Sequence, residues 1–243
     1  MAHYRKFRQL DKSVHATITP PAAALSKRII GIVMAFGAGT LISAVSYELI
    51  FEAVRIAKLS GFPALGLFAG AFTFFFSDRL IGRLAGADPV DLDASAQSRL
   101  VIPMVLAIIL DGVPESIVIG LGIFEGGAIS LAMLVAVFVS NLPEAIAGTV
   151  GMKAGGASNR KIIVLWILIA LVCAVASVGG YTLFRGVSVA WLAFVQAFAG
   201  GAILMMLANS MIPEAYEHGG KLAGVFTVMG FFVSVMMVIL ENS

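Results

Sequence analysis

Charge is what this sequence has least of. Only 12% of its 243 residues are Asp, Glu, Lys or Arg, and 60% are hydrophobic. A soluble domain carries about 25% charged and about 45–50% apolar residues. A soluble fold of this length could not hide so much apolar surface without exposing aggregating patches. Most soluble enzymes, disordered chains and secreted disulfide scaffolds are therefore excluded. There is one cysteine, Cys173, so an intrachain disulfide and a multi-cysteine zinc site are excluded too. It lies in an apolar run and reads as a small core residue. Three histidines are present, and His3 and His15 sit near the N-terminus, leaving His218. A helix-borne histidine pair for zinc or haem is absent.

What is there is apolar length. Residues 1–28 form a basic, polar tail with Arg5, Lys6, Arg8, Lys12, Lys27 and Arg28, and no apolar core of signal-peptide type precedes Pro20 and Pro21. Residues 29–243 read as a single transmembrane domain. Apolar runs at about 29–51, 62–82, 101–123, 128–151, 161–184, 190–215 and 221–241, each bound good to a few residues, suit spans of about 20 residues. The predicted fold is an all-α polytopic bundle of about seven transmembrane helices; the runs are continuous rather than alternating, which excludes a β-barrel. With the N-terminus in the cytoplasm, thirteen of the sixteen basic residues fall inside and only Arg55, Lys58 and Arg185 outside. The positive-inside bias thus sets the N-terminus in and the C-terminus out, in a plasma membrane or bacterial inner membrane.

The segment Ala35–Ala53 can be laid on Ala197–Ala215, matching Ala35 with Ala197, Phe36 with Phe198, Gly39 with Gly201, Ile50 with Ile212 and Glu52 with Glu214. The copies fall in the first and sixth spans, an odd step of five along the order, so they are expected to be inverted, an architecture of secondary transporters. The alternative is chance similarity between apolar helices.

The acids stand out against this background. Glu48, Glu52, Asp111, Glu115, Glu144 and Glu214 lie within the spans, whereas Lys and Arg lie at span ends. A bare carboxylate near the bilayer centre costs at least about 3 kcal/mol. Protons, a bound metal cation, or both in turn must neutralise the group. Asp111 and Glu115 are spaced i and i+4, about 6 Å apart along one helix face. Ser140 and Glu144 repeat the spacing on the next, antiparallel helix. Facing each other, they would gather oxygens suited to a divalent cation. Pro114, Pro143 and Pro213 each precede a glutamate and each free a carbonyl, those of Leu110, Val139 and Asn209. Broken backbone at membrane depth is tolerated where it lines a cavity. The bland alternative is a kink beside a protonated, hydrogen-bonded glutamate.

These motifs resemble the Zrt/Irt-like (ZIP) family of divalent-metal transporters. Two adjacent central helices of that family carry His-Asn-x-Pro-Glu and His-x-x-Pro-Glu type motifs. Asp111-Gly112-Val113-Pro114-Glu115 looks like the first and Ser140-Asn141-Leu142-Pro143-Glu144 the second, while Pro213-Glu214-Ala215 is similar to the penultimate helix. The resemblance covers the chain from about residue 29. It implies a metal path with Asp111, Glu115, Asn141 and Glu144 as ligands, and inward transport. Three departures accompany it. Asp111 and Ser140 replace the motif histidines and Gly112 the asparagine, so an all-oxygen site moves the expected cargo from zinc toward Mn²⁺, Fe²⁺ or another divalent ion. Seven helices are found where the family has eight, the first being the one without a counterpart. The loop GADPVDLDAS, with Asp88, Asp91 and Asp93, stands where the family is often His-rich, and reads as a solvated loop.

Other residues line up as secondary or pathway candidates. Glu48 and Glu52 sit near the outer end of the first span, as an entry or as headgroup contacts. Ser140 belongs to the second motif. Asn209, Ser210, Glu214, Glu217 and His218 cluster near the inner end of the sixth span, as an exit route or, for His218, a loop residue. The expectation is a permease rather than an enzyme, with a divalent metal ion (Zn, Mn or Fe) as substrate. Its expected partners are the lipid bilayer, divalent metal ions and, as an option, a second copy in a homodimer; no nucleic acid is expected. Two rivals stay open: a degenerate transporter-like protein that senses metal or scaffolds, and a proton-coupled carrier of a small organic substrate. The latter needs a mid-span basic group or aromatic cage, and none is seen. A retinal receptor would need a mid-span lysine, and Lys221 lies at a helix end.

Overall fold

Lipid offers no hydrogen bonds to a backbone, so apolar runs of this length must satisfy their own N–H and C=O groups as helices. The computed structural model has that form. It describes residues 21–57, 60–84, 108–110, 112–123, 130–154, 156–184 and 186–241. Six helices among them are long and apolar enough to cross a membrane. The first, α1 (Pro21–Ala44), continues through a π-helical segment, Val45–Phe51, and a last turn, Glu52–Ile56. Then come α2 (Phe62–Leu84), α3 (helical at 108–110 and 112–123), α4 (Leu131–Ala154) and α5 (Asn159–Thr182). α3, described only in part, is not one of the six; α6 (Val189–Met206) also passes through a π segment, Leu207–Met211, before ending as Ile212–Gly219. α7 spans Leu222–Glu241.

The spans match the expected ones, with shifted ends. Helix begins at Pro21, inside the stretch read as tail, because proline's fixed φ and missing N–H suit a first helical position. The first helix also runs past its expected end at Phe51 to Ile56. The expected span 101–123 is described only in part, and the loop with Asp88, Asp91 and Asp93 lies outside the described residues.

Small residues decide the packing. α1 is the central helix: 61% of its most apolar window is buried, against 11% for α5. Its inner face is Ala35, Gly37, Ala38, Gly39 and Thr40, and a β-carbon on Gly39 would run into the Thr227 carbonyl of α7. In return, one on Gly230 of α7 would meet the Phe36 carbonyl. α2 and α6 repeat this: Gly70 lies against the Phe198 carbonyl, and Gly201 against that of Leu67. Close backbone approach at small residues is how helices associate where lipid removes the hydrophobic drive. Large side chains such as Phe68, Phe72 and Phe76 point outward.

The contacts also fix direction. Gly31 meets Gly219 and Gly39 meets Thr227, so α1 and α7 advance together and run parallel, with the end of α6 beside the start of α1. Glu241, ending α7, bonds to Leu131, which begins α4. So α4 runs antiparallel to α7 and α1. Helices α4 and α6 therefore end on the side where α1 and α7 begin.

Candidate functional site

The two Pro-Glu helices meet at a hydrogen bond. Glu115 of α3 is 2% exposed, and its Oε2 accepts from Asn141 Nδ2 of α4 at 2.5 Å. The same amide nitrogen donates to the Val137 carbonyl at 2.8 Å, and Ser140 Oγ donates to that carbonyl at 3.0 Å. Both Asn141 donors thus point at protein, which leaves the amide oxygen as the atom it would offer a cation. Pro143 sits inside α4 just beyond this knot. On α3, Ser116 Oγ donates to the Gly112 carbonyl at 2.7 Å. Gly112 leaves room for α5: a β-carbon there would lie 3.2 Å from Cys173 Sγ, and this half-buried thiol is free.

One turn further along α4, Glu144 carries a buried Oε2 with no hydrogen-bond partner. Its electrostatic neighbour is Glu214, on the last segment of α6. Glu214, Asn209, Ser210 and Glu217 are exposed, and His218 is half-buried, its Cβ packed near Gly31. Acids therefore step from Glu115 at full burial, through Glu144, to Glu214 at the surface where α4 and α6 end. Toward the other end the bundle is sealed by Leu41, Leu121, Met133, Ala136, Ile203 and Leu207, all buried. Beyond this plug lies a cavity of about 40 Å³, lined by Glu48, Ser130, Gln196 and Met133 among others. Glu48 Oε1 is buried and has no hydrogen-bond partner. The π segments carry Glu48 at one end of the bundle and Asn209 and Ser210 at the other. Such bulges recur at functional sites.

No family model and no curated protein matches this chain.

Of the four residues expected to hold metal, Glu115 and Asn141 are bonded to each other and Glu144 lies one turn away. Asp111 lies outside the described residues. Among the described residues no three His, Cys, Asp or Glu side chains gather closely enough to hold a metal ion. Glu52 departs from its reading as an unpaired acid. Arg55 grips it twice at 2.7 Å, through Nε and through a terminal guanidinium nitrogen. The cause is the length of the helix, which brings Arg55 one turn beyond Glu52 on the same face. Two residues escaped the sequence reading. Gln196 is 1% exposed at the cavity, and its polarity within an apolar run was the signal. Glu241 holds the start of α4, a contact that nothing local to it announces.

Proposed function

We propose that this chain is a membrane permease for divalent metal cations, a divergent relative of the ZIP transporters it resembles. The observation that carries the reading is the buried, unpartnered Oε2 of Glu144 beside the Glu115–Asn141 bridge. Two carboxylates and an amide oxygen beside Pro143, in the interior of an apolar helix, favour a positively charged ligand. A hard divalent ion supplies that charge, with oxygen donors suited to Mn²⁺ or Fe²⁺ over Zn²⁺. Asp111 would complete the donor set. Protons compete for the same oxygens and so favour release.

Further support comes from an inverted repeat. Laying Ala35–Ala53 on Ala197–Ala215 brings the two π segments into register, since both begin at the aligned pair Val45 and Leu207. It also exchanges the glycine contacts: Gly39 against α7 becomes Gly201 against α2. The cytoplasmic side is then the end where Glu214 is exposed, and the resting protein faces inward. The stretch of plug between Glu48 and Glu115 is what alternates.

The test is uptake of a panel of divalent ions into proteoliposomes, with Glu115→Gln and Glu144→Gln beside the parent. Uptake of Mn²⁺ or Fe²⁺ that falls at least tenfold in either variant is expected. If no ion moves and none binds, the reading is wrong; if zinc alone moves, the hard-site argument is. A metal-sensing or scaffolding protein is the second reading. It is favoured by the absence of a gathered three-ligand group among the described residues. Binding without uptake would establish it.

A further inference from the structure

Glu241 ends α7 and closes the start of α4. Its carboxylate accepts from the backbone N–H of Leu131, from that of Ala132 at 3.0 Å and from Ser130 Oγ at 3.1 Å. A helix start leaves its first N–H groups unsatisfied and carries partial positive charge. The residue just outside the helix normally caps them. Ser130 does so only for Met133 N, at 3.2 Å. The remaining donors are held by a side chain more than a hundred residues away, on a helix that packs against α1.

Two consequences meet here. α4 carries Asn141 and Glu144, so the helix of the candidate site is tied at its far end to α7. Ser130, which Glu241 holds, also lines the Glu48 cavity. Glu48 also approaches Ser130, and it is an electrostatic neighbour of Glu241. What holds Glu241 beside Ser130, at the edge of this cavity, is the α4 N-terminus. Glu241 is itself exposed, so water is at hand to replace it.

We propose that Glu241 is a latch, and that its release from the start of α4 opens the Glu48 cavity to solvent. The idea builds on the transport reading, but its first test needs no transport. Met133 lines the cavity and is 3% exposed. The full chain carrying Cys173→Ser and Met133→Cys is labelled with a water-soluble maleimide in detergent. Glu241→Ala should speed labelling about fivefold, the scale of losing one helix cap. Glu241→Gln, which keeps one acceptor oxygen, should fall between. A Lys153→Cys reporter at the other end of α4 should not change. Equal rates at position 133 in all three proteins overturn the latch, as does a parallel rise at position 153, which marks general loosening. In a second arm, Ser130→Cys and Glu241→Cys are bridged by a short bifunctional thiol reagent. Divalent uptake should stop and return on reduction. Uptake that continues with the bridge in place refutes the latch while leaving transport intact. A parent that takes up no metal counts against the transport reading alone, and the labelling arm still decides the latch.

Discussion

Three glutamates in one bundle meet three fates, and the difference is the partner each finds. Glu52 has Arg55, Glu115 has Asn141, and Glu144 has a buried oxygen with nothing to accept. Removing the charge from Glu144 should therefore cut two ways. In metal-free protein, Glu144→Gln should raise stability by about 1 kcal/mol, because a buried unpaired charge is gone. If the chain binds divalent metal as proposed, added Mn²⁺ should stabilise the parent in proportion to the logarithm of metal over Kd, and the same change should abolish that gain. Thermal melts with and without metal read both signs, and a Gln variant less stable than the parent would mean that Glu144 has a partner after all. Asn141→Leu should behave oppositely. It strips a donor from buried Glu115 and should cost about 1–3 kcal/mol without metal. Equal melting temperatures for variant and parent would deny the bridge its structural part.

At the scale of the helix, packing rests on backbone approaching backbone. Gly39→Ala puts a methyl into the Thr227 carbonyl, and Gly201→Ala puts one into that of Leu67. Neither carbonyl can swing aside as a flexible side chain would, so both changes should cost about 1–3 kcal/mol. The two losses should be similar if the halves are related. Gly224→Ala is the control: its methyl would meet no atom within 4 Å, and alanine suits a helix better by about 1 kcal/mol. Detergent melts that rank the three otherwise would undo this account of the packing. The same elements show what the sequence could and could not convey. The all-helical form and the approximate extent of the described spans were legible because the bilayer allows few alternatives for long apolar runs. Their ends were not, because Pro21 starts a helix from within the tail and Arg55 prolongs one by pairing back to Glu52. The facing of the two Pro-Glu helices was legible in their shared spacing. The π segments were not, since an extra residue in a turn leaves no periodic trace over five or seven residues. Glu241 over α4 was invisible for a simpler reason: its partners lie 109 to 111 residues away.

Across the whole molecule the acids are graded rather than clustered, and the gradient has a direction. Asn209, Ser210 and Glu214 are exposed at one end, while Leu41, Ser43 and Ile203 are buried on the other side of Glu115. Ser43 is fully buried, and its Oγ has no hydrogen-bond partner. A buried hydroxyl without a partner is costly, and its neighbour on the same helix, Thr40, avoids that cost by donating to the Gly37 carbonyl. The Ser43 hydroxyl is explained if its face of the helix meets water during part of the cycle. Single-cysteine reporters in a Cys173→Ser background test this directly. Asn209→Cys should label readily in the resting protein and Ser43→Cys at least tenfold more slowly. Adding Mn²⁺ should narrow the difference, because a protein that alternates must expose each side in turn. A Ser43→Cys that stays protected while metal is being transported would place the path elsewhere in the bundle. One that labels at once in the resting state would mean that the plug above Glu115 is open, and that the gradient of burial is not a gate.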